Sequence, residues 1–210
     1  MNLDDSIRNY LDDISSSSPT PGGGNVSAFS GAVAGSLGIM VCNLTIGKKK
    51  YADVEEEIKD IKFELSLAQE EFLNLAEKDN RAFDKVMQAF KLPKDTDEQK
   101  KSRKESIEAA TLEAAEAPAE VLKYCGKIIP LFQTLAEKGN QNSVSDAGVA
   151  AALISTAAEG AYLNVLINCS SLSNQTVARE ILKKNEIILS EVKKAGATIS
   201  EEIKKKLERK

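Results

Sequence analysis

Histidine is absent from this 210-residue chain. That removes the commonest general base at neutral pH, the Ser-His triads and the usual zinc signatures. Acid–base chemistry must therefore come from Asp, Glu, Lys, Tyr or Cys. Tryptophan is also absent and aromatics make up only 5%, although 42% of the residues are hydrophobic. A core of aliphatic and small side chains is implied, and the abundance of Ala, Leu, Lys and Glu favours long helices over sheet. Cys42, Cys125 and Cys169 are scattered in apolar surroundings with no C-x-x-C pair, which reads as buried, reduced thiols in a cytoplasmic protein. The net charge of −4 offers phosphates no general attraction, so no nucleic-acid binding is expected. The opening MNLDDSIRNY is acidic and polar, unlike a secretory signal.

What is present is organised around residues 19–51, PTPGGGNVSAFSGAVAGSLGIMVCNLTIGKKKY. A rigid turn leads into Gly22, Gly23 and Gly24, and Asn25 stands where a helix N-cap belongs. Residues 26–46 carry no charge, and Gly47 with Lys48, Lys49 and Lys50 follows, as a helix C-terminus favours. The helix is apolar all round and rich in small residues, so it should not face water on any side. It is long enough to cross a bilayer, which takes roughly 20 residues. Its serines, glycines and Asn43 make it weakly hydrophobic, and a core or subunit-interface helix is expected rather than a membrane span. Two readings fit the glycines: their free N–H groups hold an anion or polar ligand at a positive helix end, or they only shape a tight entry turn. No strand precedes them, so a dinucleotide fingerprint is not supported.

The remaining chain reads as helices. Residues 2–14 form a short amphipathic helix with Ile7, Leu11 and Ile14 on one side. A long helix over 51–90 has the seam Val54, Ile58, Ile61, Leu65, Ala68, Phe72, Leu75, Ala82, Val86 and Phe90, with steps of three and four. Between Leu75 and Ala82 the seam is interrupted by Asp79. A carboxylate in an apolar stripe must be paired, hydrogen-bonded or shifted in pKa. It is either an acid/base or cation stabiliser, or a structural hydrogen-bonding group. Another helix spans 98–136, where Pro118 and Pro130 should kink or break it. A second small-residue helix spans 147–169, with Asp146 as cap or dipole partner at its entry. Asp146 and Asn164 are 18 residues apart, roughly 27 Å on a helix, so one subunit cannot bring both to one pocket. The last helix covers 174–207 and ends in solvated lysines. The expected fold is all-α: one domain over 1–210, a bundle of long helices with two small-residue core helices, oligomerising.

The segments PTPGGGN, NLTIGKKKY, EKDNRAFDKVMQAFKLPK, EAPAEVL and NQNSVSDAGVAAALISTAAEGAYLNVLIN, in this order, resemble the cyclodeaminase/methenyltetrahydrofolate cyclohydrolase family, from Leu11 to about Leu182. The resemblance implies an all-helical, metal-free enzyme that acts as a dimer or larger homo-oligomer on a tetrahydrofolate derivative. One family reaction closes formimino-tetrahydrofolate to the methenyl form and expels ammonia; the other adds water to the methenyl carbon and opens the ring to a formyl group. Carried onto this chain, Asp79 would shuttle the proton or stabilise the cation. Gly22, Gly23, Gly24 and Asn25 would contact the substrate. Lys48, Lys49 and Lys50 would meet the folate's glutamate tail, unless they are only a helix-terminal charge cluster. Asn43, Asp146, Asn164 and Asn168 are further candidates. The alternative from another class is a non-catalytic helical homo-oligomer or assembly protein, which has no reason to keep a charge at Asp79.

Overall fold

In the computed structural model, which describes residues 6–208, the chain forms six α-helices: α1 Ile7–Ser15, α2 Gly23–Thr45, α3 Glu55–Phe90, α4 Asp97–Lys138, α5 Val144–Ser170 and α6 Gln175–Glu208. A 3-10 segment, Lys49–Val54, joins α2 to α3. No strand occurs among the described residues. Residues 2–5 of the first expected helix lie outside them.

Each long helix runs antiparallel to the next. Lys85 pairs with Glu113, Lys78 with Glu120, Lys127 with Glu64 and Lys138 with Glu57 between α3 and α4. Four helices, α2 to α5, pack around one core, and α6 lies across α4 and α5. The small residues of α2 admit large neighbours: Phe72 lies against Gly31, and Phe132 and Leu65 against Gly38. Ile58, Leu65, Phe72, Leu75, Phe132 and Leu135 are among the fully buried side chains that fill this space. The helix ends follow local chemistry. Thr96 and Gln99 form a reciprocal capping box at the start of α4, and Gly47, at φ 75°, takes the left-handed turn after α2.

Several expectations require correction. The α2 helix begins at Gly23 with Gly22 as N-cap, and Asn25 lies inside the first turn. Asp146 likewise sits within the first turn of α5, after Ser143 as N-cap, so it acts on the helix dipole rather than as the cap. Neither proline breaks α4, which runs unbroken through Pro118 and Pro130. Proline at 118 leaves the carbonyl of Ala114 without its helical donor. The Asn168 side chain supplies one instead, its Nδ2 donating to that oxygen at 2.7 Å. The seam of α3 also ends early, since Phe90 is exposed beneath the Arg103 guanidinium.

The two small-residue helices are not enclosed on all sides. Val33, Met40 and Leu44 on α2, and Val149, Leu163, Leu166 and Ile167 on α5, are exposed. Both helices meet the length and hydropathy of a membrane span, yet each packs against several other helices of the bundle.

Candidate active site

The antiparallel arrangement of α2 and α3 places the Gly22–Asn25 turn beside the C-terminal half of α3. Here the chain approaches itself closely: any side chain at Gly24 would collide with the Asp79 carboxylate. The backbone N–H of Asn25, in the free first turn of α2, faces that carboxylate and favours its ionised form. The anion at this helix N-terminus is therefore the protein's own side chain, held where the helix dipole favours negative charge.

Two opposing effects act on Asp79. Burial raises its pKa, the Asn25 N–H lowers it, and burial wins, moving it from an ordinary 3.8 to about 6. The adjacent cations do not compensate. Lys78 pairs with Glu120 at 3.0 Å and Arg81 with Glu77 at 3.2 Å, and α2 carries no charged side chain. A carboxyl group in this condition exchanges its proton near neutral pH, the range in which a general acid/base is most effective. The next residue, Asn80, has its Oδ1 buried with no hydrogen-bond partner among the described residues, a costly state for a polar atom.

Asn25 is fully buried, and its side chain links three elements. Its Oδ1 accepts from the Tyr10 hydroxyl at 2.7 Å and its Nδ2 donates to the carbonyl of Ala76 at 2.8 Å. Tyr10 also packs on Phe29, with ring centroids 4.9 Å apart. The sequence marked α1 as amphipathic through Ile7, Leu11 and Ile14 but gave Tyr10 no role, because its partners Asn25 and Phe29 are 15 or more positions away. From α5, the Asn164 amide reaches the start of α2: a Cβ on Gly23 would lie 3.2 Å from its Nδ2. The end of the bundle that holds Asp79 is thus formed by α1, α2, α3 and α5.

The other sequence candidates lie elsewhere. Asn43, in the last turn of α2, and Lys48, Lys49 and Lys50 beyond it are exposed, about 30 Å from Gly22, Gly23 and Gly24 by helix length. Asp146 belongs to that far end too, where Asn140 donates to Thr45 and to the carbonyl of Leu44. Among the described residues no carboxylate pairs with the three lysines; Lys50 instead stands 5.4 Å from the ring of Tyr51. One chain therefore brings Asp79, Gly22, Gly23, Gly24, Asn25 and Asn164 together, and separates them from Asn43, the lysines and Asp146. Asn168 is committed to the α4 carbonyl.

Five surface hollows stand out among the described residues, and Asp79 lines none of them. Burial pushes the Cys42 thiol up to about 12 and raises Cys125 and Cys169 as well, so none is a ready nucleophile.

A family model described as Formiminotransferase-cyclodeaminase matches residues 6–186. The chain belongs to the formiminotransferase-cyclodeaminase family. It is similar to a methenyltetrahydrofolate cyclohydrolase of Methylorubrum extorquens, with 40% identity over 203 residues, 97% of this chain and 98% of that protein. It is 29% identical to a formimidoyltransferase-cyclodeaminase of Mus musculus over 197 residues, which are 94% of this chain and 36% of the mouse protein. The crystal structure of formiminotetrahydrofolate cyclodeaminase from Thermotoga maritima matches with a TM-score of 0.81 at 32% identity, covering 95% of this chain and 98% of that one. The span matched by the formiminotransferase-cyclodeaminase model takes in Tyr10, Asn25, Asp79 and Asn164 and ends within α6.

Proposed function

We propose that this chain is a folate one-carbon enzyme that hydrolyses methenyl-tetrahydrofolate to formyl-tetrahydrofolate. The observation that carries the chemistry is the Asp79 carboxyl, partly buried on an apolar helix face with its pKa moved to about 6. The methenyl carbon sits in a delocalised cation between two nitrogens, and it is attacked by water. Asp79, ionised, takes a proton from that water as the carbon–oxygen bond forms, giving a neutral tetrahedral carbon. The protonated carboxyl then returns a proton to the departing ring nitrogen. As that carbon–nitrogen bond breaks, the hydroxyl loses its proton and becomes the formyl oxygen. One proton is released overall, as loss of the substrate's positive charge requires. A carboxylate beside the cation also stabilises charge in the ground and transition states.

End-to-end 40% identity with a protein named as a cyclohydrolase supports water as the nucleophile. A second reading, cyclodeamination of formimino-tetrahydrofolate, is supported by the fold match to the Thermotoga maritima protein. The same carboxyl would then protonate the departing ammonia. An assay offering methenyl and formimino substrates to the same preparation separates them. Hydrolysis well above the uncatalysed rate is expected with the first; ammonia release without hydrolysis would move the assignment to the second. No turnover of either would leave only an assembly role.

We also infer that two or more copies associate through the open face of α2 and α5. Exposed Met40, Leu44, Val149, Leu163 and Ile167 on helices with almost no charge support this. In a two-fold pairing along α2, the end carrying Asn43, Lys48, Lys49 and Lys50 would meet the partner's Gly22–Asn25 end. The lysines would then be placed for the glutamate tail of a folate held at Asp79, and Asp146 would lie at the same junction.

A further inference from the structure

We propose that Tyr10 is a positioning residue for Asp79, acting through the side chain of Asn25. Helix α1 is otherwise a loosely held appendage: Ile7 is 70% exposed and Leu11 58%, whereas Tyr10 is 2% exposed. Its hydroxyl donates to Asn25 Oδ1. Because a hydroxyl donor faces the amide oxygen, the amide nitrogen must point the other way, toward the Ala76 carbonyl, which it reaches at 2.8 Å. Ala76 lies one turn before Asp79 on α3. The Asn25–Ala76 bond therefore fixes the register of the first turn of α2 against the turn of α3 that carries the carboxyl. The Gly24–Asn25 backbone, which approaches the Asp79 carboxylate closely, is thereby kept facing it.

Removing the Tyr10 hydroxyl frees the amide to rotate and loosens the donor that Asp79 depends on. Burial keeps Tyr10 protonated, with its pKa pushed up to about 12, so it donates throughout the working range of pH. Other charges near the site do not substitute for this linkage. The α1 acids Asp12 and Asp13 are exposed, α2 has no charged side chain, Asn164 from α5 is neutral, and on α3 Lys78 and Arg81 are engaged with Glu120 and Glu77.

The catalytic consequence rests on the reading of Asp79 as the proton carrier; the linkage itself does not. The test therefore has two readouts. The first is the titration of the Asp79 carboxyl in the folded protein by carbon-13 NMR, with Asp79→Asn assigning its resonance. Tyr10→Phe keeps the ring on Phe29 and removes only the hydroxyl. Loss of a donor to the charged form should raise the midpoint by about half a unit or more. Leu11→Ala, a change at a mostly exposed position of the same helix that leaves the Tyr10 hydroxyl in place, should not move it. Superimposable titrations for wild type and Tyr10→Phe would overturn the proposal, as would an equal shift in Leu11→Ala. The second readout is turnover. Tyr10→Phe should lower kcat several-fold with KM little changed, and its acidic pH limb should move with the NMR midpoint. Should Asp79→Asn retain wild-type turnover, the proton-carrier reading fails while the titration still decides the role of Tyr10.

Discussion

Replacing Asp79 with asparagine should make the protein more stable and less active at the same time. In the unfolded chain the carboxyl has its ordinary pKa of 3.8; in the fold it is about 6. The difference of about 2 units corresponds to about 3 kcal/mol, at 1.36 kcal/mol per unit. The folded state binds the proton more tightly, so stability is highest below pH 4, declines as pH rises toward 6, and stays lower by that amount above it. Asp79→Asn removes the ionisation but keeps an oxygen able to accept from Asn25, while its amide N–H groups carry a desolvation cost of their own. The variant should therefore exceed wild type by roughly 1–3 kcal/mol near pH 8, with the advantage shrinking to nothing near pH 4. Urea unfolding at fixed protein concentration, followed by circular dichroism near pH 4, 6 and 8, measures this directly. A gap that does not change with pH, or a variant less stable than wild type near pH 8, would refute the reasoning.

Gly24→Ala sets helix propensity against crowding. The substitution gains about 1 kcal/mol in a helix but drives a methyl into the Asp79 carboxylate, so turnover should fall about tenfold or more, equivalent to about 1.4 kcal/mol; a stabilised, fully active variant would contradict the close approach. Asn168→Ala should cost about 1–3 kcal/mol by orphaning the Ala114 carbonyl, and Pro118→Ala should recover much of it by restoring the helical donor, a coupling that a double-mutant cycle in urea reads out. Met40→Lys combined with Ile167→Lys should shift the oligomer to monomer in light scattering and reduce activity with it. Replacing Lys48, Lys49 and Lys50 together by alanine should raise KM for a polyglutamylated folate more than for a monoglutamate, with kcat nearly unchanged.

The helical architecture was readable because apolar residues recur at three- and four-residue steps from Ile58 to Leu75 and from Thr111 to Leu135, a pattern that only a helix brings to one face. Asp79 was readable for the same reason, as a break in that pattern. The effects of Pro118 were not, because the compensating donor, Asn168, is 54 positions from its acceptor. Asn25 looked like a cap because caps are recognised by local order, whereas its buried amide is bonded to Tyr10 and Ala76 across the fold. The open face of α2 and α5 was legible only in part. Absence of charge marks such helices as covered, but it does not distinguish covering by the chain's own helices from covering by another copy.

The rate of methenyl-tetrahydrofolate disappearance, followed by absorbance near neutral pH with wild type and with Asp79→Asn at equal folded concentration, addresses the assignment of the carboxyl most directly. Wild type should accelerate the reaction and lose activity as pH falls through about 6, while the asparagine variant should lose at least two orders of magnitude in kcat. A variant that turns over as fast as wild type would remove Asp79 from the chemistry.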